Sequence, residues 1–240
     1  MGQFTGDGKP LQPEDLGMAA KGASSLLGFL ARIFREEISG EFLEELKSAE
    51  MQSNLQTVGI ELDQELIDQP ANEVLERLAV EYTALFLGPG GHISPHESVQ
   101  AEENGILMGD RTVAVKDFIE RAGFGYNDNF NAIPDHLSVE LEFLGALTQH
   151  EATEWEAGNS DRAANCLEYE QEFLAKHLGQ WVSGFCDTVI ATAGEKLYRD
   201  MAELLRDFVQ SEIEDVEQRL ASARQLAAQQ PPVLSGTGVG

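Results

Sequence analysis

Apolar residues recur three and four apart along almost the whole of this chain, and no stretch alternates with a period of two for long enough to require a strand. Between Leu26 and Phe34 the stripe is Leu26, Leu27, Leu30, Ile33 and Phe34. From Asn72 to Leu87 it is Val74, Leu75, Leu78, Tyr82, Leu85 and Phe86, with Asn72 expected as N-cap and Gly88-Pro89 as the stop. From Asp135 onward, Leu137, Val139, Leu141, Phe143, Leu144 and Leu147 cover more than half the circumference, which predicts a central helix buried on several sides. Further helices are expected from Asn159-Ser160-Asp161 to about His177, from Trp181 to Ala193, and from Glu195 past Ile213. Arg111 to Lys116 alternates briefly but reads better as a helix start. The expectation is an all-α, single-domain bundle of at least about eight helices. Residues 1–15 and 229–240 are expected to be disordered tails around a helical domain at 16–228.

Charge narrows the function. Of 240 residues, 16 are Lys or Arg and 42 are Asp or Glu, a net charge of 16 − 42 = −26. Such a surface repels phosphate backbones and anionic headgroups, which excludes a basic nucleic-acid groove and favours cationic partners. The acidity also fits plain solubility or a saline cytoplasm. The most apolar stretch, Leu26 to Phe34, is interrupted by Arg32 and falls far short of the roughly 20 residues that span a bilayer, so no stable membrane insertion is expected. Met1 to Pro13 has no basic region leading into an apolar core, so it is not a signal peptide and a cytoplasmic protein is expected. Cys166 and Cys186 stand in apolar, helix-like surroundings and read as buried thiols.

The templates for catalysis fail on spacing. His92 and His96 are four apart, but Pro95 between them and Gly90-Gly91 before them break the helical face that a zinc site of that spacing needs. A carboxylate-bridged di-iron bundle needs Glu three residues before His; those positions are Pro89, Ile93, Ile133, Leu147 and Leu174. There is no nucleophile elbow and no P-loop, and the Gly88 to Gly91 run is at best a weak anion nest in a negative chain. No catalytic residue, metal or cofactor is therefore expected. Two readings from other classes stay open: a metal- or cofactor-binding helical enzyme using His92, His96, His136 and nearby carboxylates, and a structural or adaptor bundle.

The loops are more informative. Gly88 to Pro95 is punctuated by Gly and Pro, and Gly123 to Pro134 is a second, longer break. Pro134-Asp135-His136 opens the most apolar helix, where Pro134 presets φ and Asp135 can cap the first turn. His136 has Glu140 four residues on, along the same face. From these residues alone the turn is either a capped helix start with a His–Glu pair or a binding turn.

Taken together, Tyr82 to Pro89 (YTALFLGP), Pro95 to Ser98 (PHES), Ile133 to Leu144 (IPDHLSVELEFL) and His177 to Cys186 (HLGQWVSGFC), in this order, resemble the signature segments of the TorD/DmsD/NarJ family. These are cytoplasmic, system-specific chaperones of molybdenum-containing oxidoreductases, and the similarity runs from about residue 25 to 210. The resemblance implies a non-catalytic helical protein, monomer or domain-swapped dimer. Its partner would be the catalytic subunit of a bis(molybdopterin guanine dinucleotide) oxidoreductase, whose N-terminal twin-arginine signal it binds until the cofactor is inserted. It also implies a signal-peptide groove lined by Tyr82, Leu85, Phe86, Pro89, Pro95, Glu97, Ser98, Pro134, Asp135, His136 and Glu140. Guanine-nucleotide binding, proposed within the family, has no support in these residues. An arginine pair followed by an apolar segment needs carboxylates at one end of an apolar groove. Glu97 and Asp135 are expected nearest the arginines, with Tyr82, Leu85 and Phe86 as floor. The loops at 88–98 and 134–136 are expected to converge through antiparallel packing of the helices that carry them.

Overall fold

The computed structural model describes residues 11–88, 91–101, 105–125 and 132–229, and within them the chain is all helix, with no strand and one isolated backbone bridge, between His96 and His136. The elements are α1 (Pro13–Arg35), α2 (Gly40–Lys47), α3 (Ala49–Thr57), α4 (Gln64–Asp68), α5 (Ala71–Tyr82), a π-helix (Thr83–Leu87), α6 (Glu97–Gln100), α7 (Asp110–Arg121), α8 (Leu137–Glu156), α9 (Ser160–Lys176), α10 (Leu178–Thr192) and α11 (Lys196–Gln229). Helix α1 starts inside the stretch expected to be tail. No described helix is long and apolar enough to cross a membrane.

Local chemistry explains most boundaries. The short helices α2, α3 and α4 begin where the side chains of Ser39, Ser48 and Asp63 accept backbone N–H bonds from Phe42, Met51 and Glu65. Helix α5 starts one residue before the expected cap: Pro70 holds the N-cap position and Asn72 lies in the first turn. Proline there fixes the extended entry, and its carbonyl accepts from Glu73 N and Val74 N. Helix α8 is capped by His136, whose Nδ1 accepts from Ser138 N at 3.1 Å, so Asp135 is not the cap.

The centre is α8, which packs chiefly against α1 and α9, while α10 and α11 close the bundle around α9. Leu137, Leu141, Phe143 and Leu144 are all buried, as the wide apolar stripe of this helix predicts. Gly145 lets α1 come close. A Cβ there would stand 3.3 Å from the Cβ of Leu27, and the Gly145 carbonyl accepts from Ser24 Oγ at 2.8 Å. A second, smaller apolar cluster joins Leu16, Trp155, Leu167, Val216 and Leu220. Cys166 and Cys186 are buried and free, and burial pushes each thiol up to about 12.

Candidate functional site

The loop before α6 and the turn before α8 meet. Glu97 N donates to the Asp135 carbonyl at 3.0 Å and Leu137 N to the Pro95 carbonyl at 2.8 Å, so His96 and His136 lie side by side. Their rings sit edge to face, 4.9 Å between centroids. The convergence expected from the sequence is present, but the route to it differs. Helix α5 packs with α2 and the π-helix and is not among the principal partners of α8. The loop is instead pinned to the π-helix by Ile93 N donating to the Leu85 carbonyl at 2.7 Å, and to α8 by the bridge.

Three carboxyl groups hold this junction from inside. Asp135 is fully buried; its Oδ2 accepts from Ser98 N at 2.8 Å and its Oδ1 from Thr112 Oγ1 at 2.9 Å, which ties α6 and α7 to the α8 turn. Glu97, equally buried, accepts from Arg111 Nη1 at 2.9 Å through Oε1, while its Oε2 lies 3.1 Å from His177 Nδ1. Arg111 also donates to the Lys176 carbonyl at 3.2 Å, fastening α7 to the α9–α10 joint. Glu140 lies next to Glu97 and accepts from Trp181 Nε1 at 3.3 Å. Burial and the neighbouring Glu97 charge push the Glu140 carboxyl well above the usual range. The shift favours a proton on Glu140, through which it can donate to Glu97 and so give its Oε1 the partner it otherwise lacks.

Both histidines of the bridge are kept neutral. Burial pulls His136 down to about 4, and His96 next to it is also lowered, chiefly by burial. A neutral His136 suits its role, because Nδ1 must accept the Ser138 amide. His92 lies apart on the exposed loop, its Nδ1 3.1 Å from the Gly88 carbonyl. Among the described residues no group of three or more His, Cys, Asp or Glu is placed to hold a metal ion.

The residues expected to line a groove divide into two sets. Tyr82, Leu85, Phe86, Pro95, Glu97, Ser98, Asp135 and Glu140 are buried, whereas Pro134 and His136 are half-buried; Pro89 lies outside the described residues. The expected floor is therefore core. Tyr82 OH donates to the Phe34 carbonyl at 3.3 Å, and Phe86 packs against Phe185 with 6.1 Å between centroids. Burial drives the Tyr82 phenol up to about 12. The outward face of the same segment is Val80, Thr83, Ala84 and Leu87, and Leu87 is 63% exposed. Leu85 and Phe86, three and four residues after Tyr82, share its inward face, while Leu87 at the end of the π-turn follows Val80 and Ala84 on the outward one. The two expected arginine partners also point inward: Glu97 is taken by Arg111, and Asp135 by Ser98 and Thr112. The exposed carboxylates beside this surface are Glu36 and Glu37, which follow α1; Glu37 accepts from Thr83 Oγ1 at 3.1 Å. Sequence reasoning did not assign site roles to Arg111, Thr112, His177 or Trp181. A signal existed for the last two, four apart inside the HLGQWVSGFC segment.

Comparison with known proteins gives this arrangement a context. The profile of the nitrate reductase delta subunit family matches residues 40–187. The chain is 25% identical over 195 residues to the chaperone protein TorD of Vibrio cholerae serotype O1 (strain M66-2), covering 77% of this chain and 87% of that one. It is 32% identical over 132 residues to the Tat proofreading chaperone DmsD of Salmonella typhimurium (strain LT2), covering 55% and 58% respectively. Its fold is similar to that of a redox enzyme maturation protein from Archaeoglobus fulgidus, with a TM-score of 0.52, 22% identity and coverage of 78% of this chain and 93% of the other.

Proposed function

Since the chain belongs to the nitrate reductase delta subunit family, whose matched relatives are chaperones and not enzymes, we propose that this maturation chaperone binds the N-terminal twin-arginine signal of a molybdenum oxidoreductase catalytic subunit. It does so in the cytoplasm and holds the client until its bis(molybdopterin guanine dinucleotide) cofactor is in place. The observation that carries this reading is the apolar strip Val80–Ala84–Leu87 standing beside Glu36 and Glu37, at the edge of two loops locked together by buried carboxyls. Arginines of the signal pair with Glu36 and Glu37, and its apolar part lies against Leu87, Pro134 and the His96–His136 edge. Tyr82, Leu85, Phe86, Pro95, Glu97, Ser98, Asp135 and Glu140 act from behind, fixing the shape of that surface so that little ordering is left for the moment of binding. The negative charge of the whole chain speeds the encounter in a salt-dependent way.

The test is a titration of a fluorescent twin-arginine signal peptide into wild type, Leu87→Ser and the Glu36→Gln/Glu37→Gln double variant. Both variants should bind more weakly with unchanged melting curves, and a twin-lysine peptide should bind more weakly to wild type. Equal affinity for all three proteins removes this surface from the site. Equal affinity for arginine and lysine peptides favours an adaptor of no particular signal specificity.

A further inference from the structure

A trough of about 690 Å³ lies between α1, α3 and α11, within the size range of small-molecule pockets, and it shares no residue with the surface at Leu87. Helices α1 and α11 run antiparallel along it: Leu16 packs near Val216 and Leu220, and Leu26 and Phe29 share the trough with Phe208. Its walls have two unlike ends. One is apolar, formed by Leu26, Phe29, Met51, Leu55 and Phe208; Leu55 is buried, and the other four are half-buried. Two phenyl rings and a thioether suit a flat, apolar body. The other end carries Glu212, Asp215 and Arg219.

What that end lacks is an acceptor. Arg219 is 4% exposed, and its terminal nitrogens face carboxyls: Nη2 pairs with Glu212 and lies 3.9 Å from Glu170, and Nη1 lies 4.0 Å from Glu151. Its Nε is buried and donates to nothing. The two carboxylates of the wall have donors of their own, Glu212 from Arg219 and Asp215 from Ser211 Oγ at 3.2 Å. A buried donor without a partner costs free energy, and an oxygen brought in along the trough beside Arg219 removes that cost. Charge restricts what carries the oxygen. The guanidinium is already balanced by Glu212, and Asp215 adds a negative charge to the wall, so an anion meets repulsion there. A simple cation brings Nε no acceptor. A helical peptide spends its carbonyls on its own backbone.

We infer that the trough binds an uncharged, mostly apolar small organic molecule with a carbonyl oxygen at one end. The oxygen accepts from Arg219 Nε, and the apolar body lies over Leu26, Phe29 and Phe208. This site is independent of the proposed signal surface and rests on its own observations.

Gly22 lets the trough be closed without disturbing the fold. It lines the trough, lies within α1, and a Cβ built on it meets nothing within 4 Å. Gly22→Leu replaces a poor helix former with a good one, so the melting temperature should hold or rise. The probe is prodan, an uncharged dimethylaminonaphthalene with a propionyl carbonyl, whose emission moves to the blue in apolar surroundings. Two comparison dyes are the same naphthylamine without the propionyl group and an anionic anilinonaphthalene sulfonate. Fluorescence titration of the full chain should show one saturable prodan site, with each comparison dye bound severalfold more weakly. Gly22→Leu should weaken prodan about tenfold or more. Arg219→Lys keeps the cation and removes Nε, so it should weaken prodan severalfold and erase its advantage over the dye without a carbonyl. If that variant does not fold, the dyes on wild type and Gly22→Leu decide the outcome. Equal prodan binding by Gly22→Leu and wild type, no saturable binding by wild type, an anion bound as tightly as prodan, or indifference to the carbonyl would each overturn the inference. So would displacement of prodan by the twin-arginine peptide, since the occupant is then a polypeptide, or loss of prodan binding as the chain self-associates, since it is then a second copy. Leu87→Ser should leave prodan binding unchanged, so failure at the trough and failure at the signal surface are read separately.

Discussion

Replacing Asp135 separates three roles that its position at the head of α8 allows. The carboxylate accepts from Ser98 N at 2.8 Å and from Thr112 Oγ1 at 2.9 Å, and all three residues are buried. A hydrogen bond to a charged group contributes roughly 1.5–3 kcal/mol, and alanine would leave both donors buried without an acceptor. Asp135→Ala should therefore cost about 3–6 kcal/mol, a large part of the roughly 5–15 kcal/mol that holds a folded domain. Asparagine keeps the shape and one acceptor oxygen, and Thr112 can turn its hydroxyl to accept from the new amide. Its cost should be about 1–2 kcal/mol. The assay is urea unfolding followed by far-ultraviolet circular dichroism, with the midpoint lowered and the slope constant. If alanine leaves too little folded protein to measure, Asp135→Asn combined with Thr112→Val in a double-mutant cycle replaces it, with coupling of at least about 0.5 kcal/mol expected. An N-cap role would make Asn equal to Asp. A role confined to peptide contact would lower affinity and leave stability alone. An alanine variant within about 0.5 kcal/mol of wild type would refute the internal tie.

Three further outcomes follow from the packing and the buried charges. A methyl at Gly179 would overlap the Leu174 carbonyl oxygen and come within 2.8 Å of Ile213 Cδ1, so Gly179→Ala should destabilise the α9–α10 joint by about 1–3 kcal/mol in the same urea assay. Glu151, held at about 7 in the fold against an ordinary 4.5, contributes stability that is complete below the lower value and lost as pH rises through the upper; Glu140, Glu170 and Glu212 are shifted the same way. His136, depressed to about 4, and His96 work in the opposite sense, losing stability as pH falls below their unfolded value. With four carboxyls against two imidazoles, the melting temperature should rise as pH is lowered from about 8 to about 6, and less so in Glu170→Gln; a flat or inverted profile in wild type would contradict this. Cys166 and Cys186 should resist a thiol reagent in the native protein and react fully in denaturant, because both are buried with thiols raised to about 12.

Both clusters of buried carboxyls follow one design. In each, two glutamates lie together beside a tryptophan donor: Glu140 takes the Trp181 indole N–H at 3.3 Å, and Glu151 takes that of Trp155 at 2.8 Å. In each, burial and the neighbouring carboxyl push one member, Glu140 or Glu170, well above the usual range. The first cluster supports the α6–α8 junction and the second joins α8 and α9 to α11 through Arg219. In a chain with 42 acidic residues, these two clusters let α8 be central and still carry Glu140 and Glu151 buried, while Glu154, further along the same helix, accepts from Asn159 Nδ2 at 2.7 Å.

The sequence by itself determined the helical class and the identity of the central helix. Spacing along a chain is a local property, and a stripe as wide as that from Leu137 to Leu147 can be buried only by neighbours on several sides. It also marked the two segments that meet at His96 and His136, through Pro and Gly placement and through likeness to a known family. It could not say which way the carboxylates and rings of those segments point. That was decided by partners far off in the chain: Thr112, 23 residues from Asp135; Ser98, 37 residues away; and His177, 80 residues from Glu97. The spacing of Tyr82, Leu85 and Phe86 places them on one helical face but does not say whether that face is core or groove floor; the fold buries it and leaves Leu87 outside. In a chain with so many acids, composition does not distinguish a buried tie from a surface charge. Only the tertiary structure does, because a carboxylate takes its role from the donors that the fold brings within hydrogen-bonding distance.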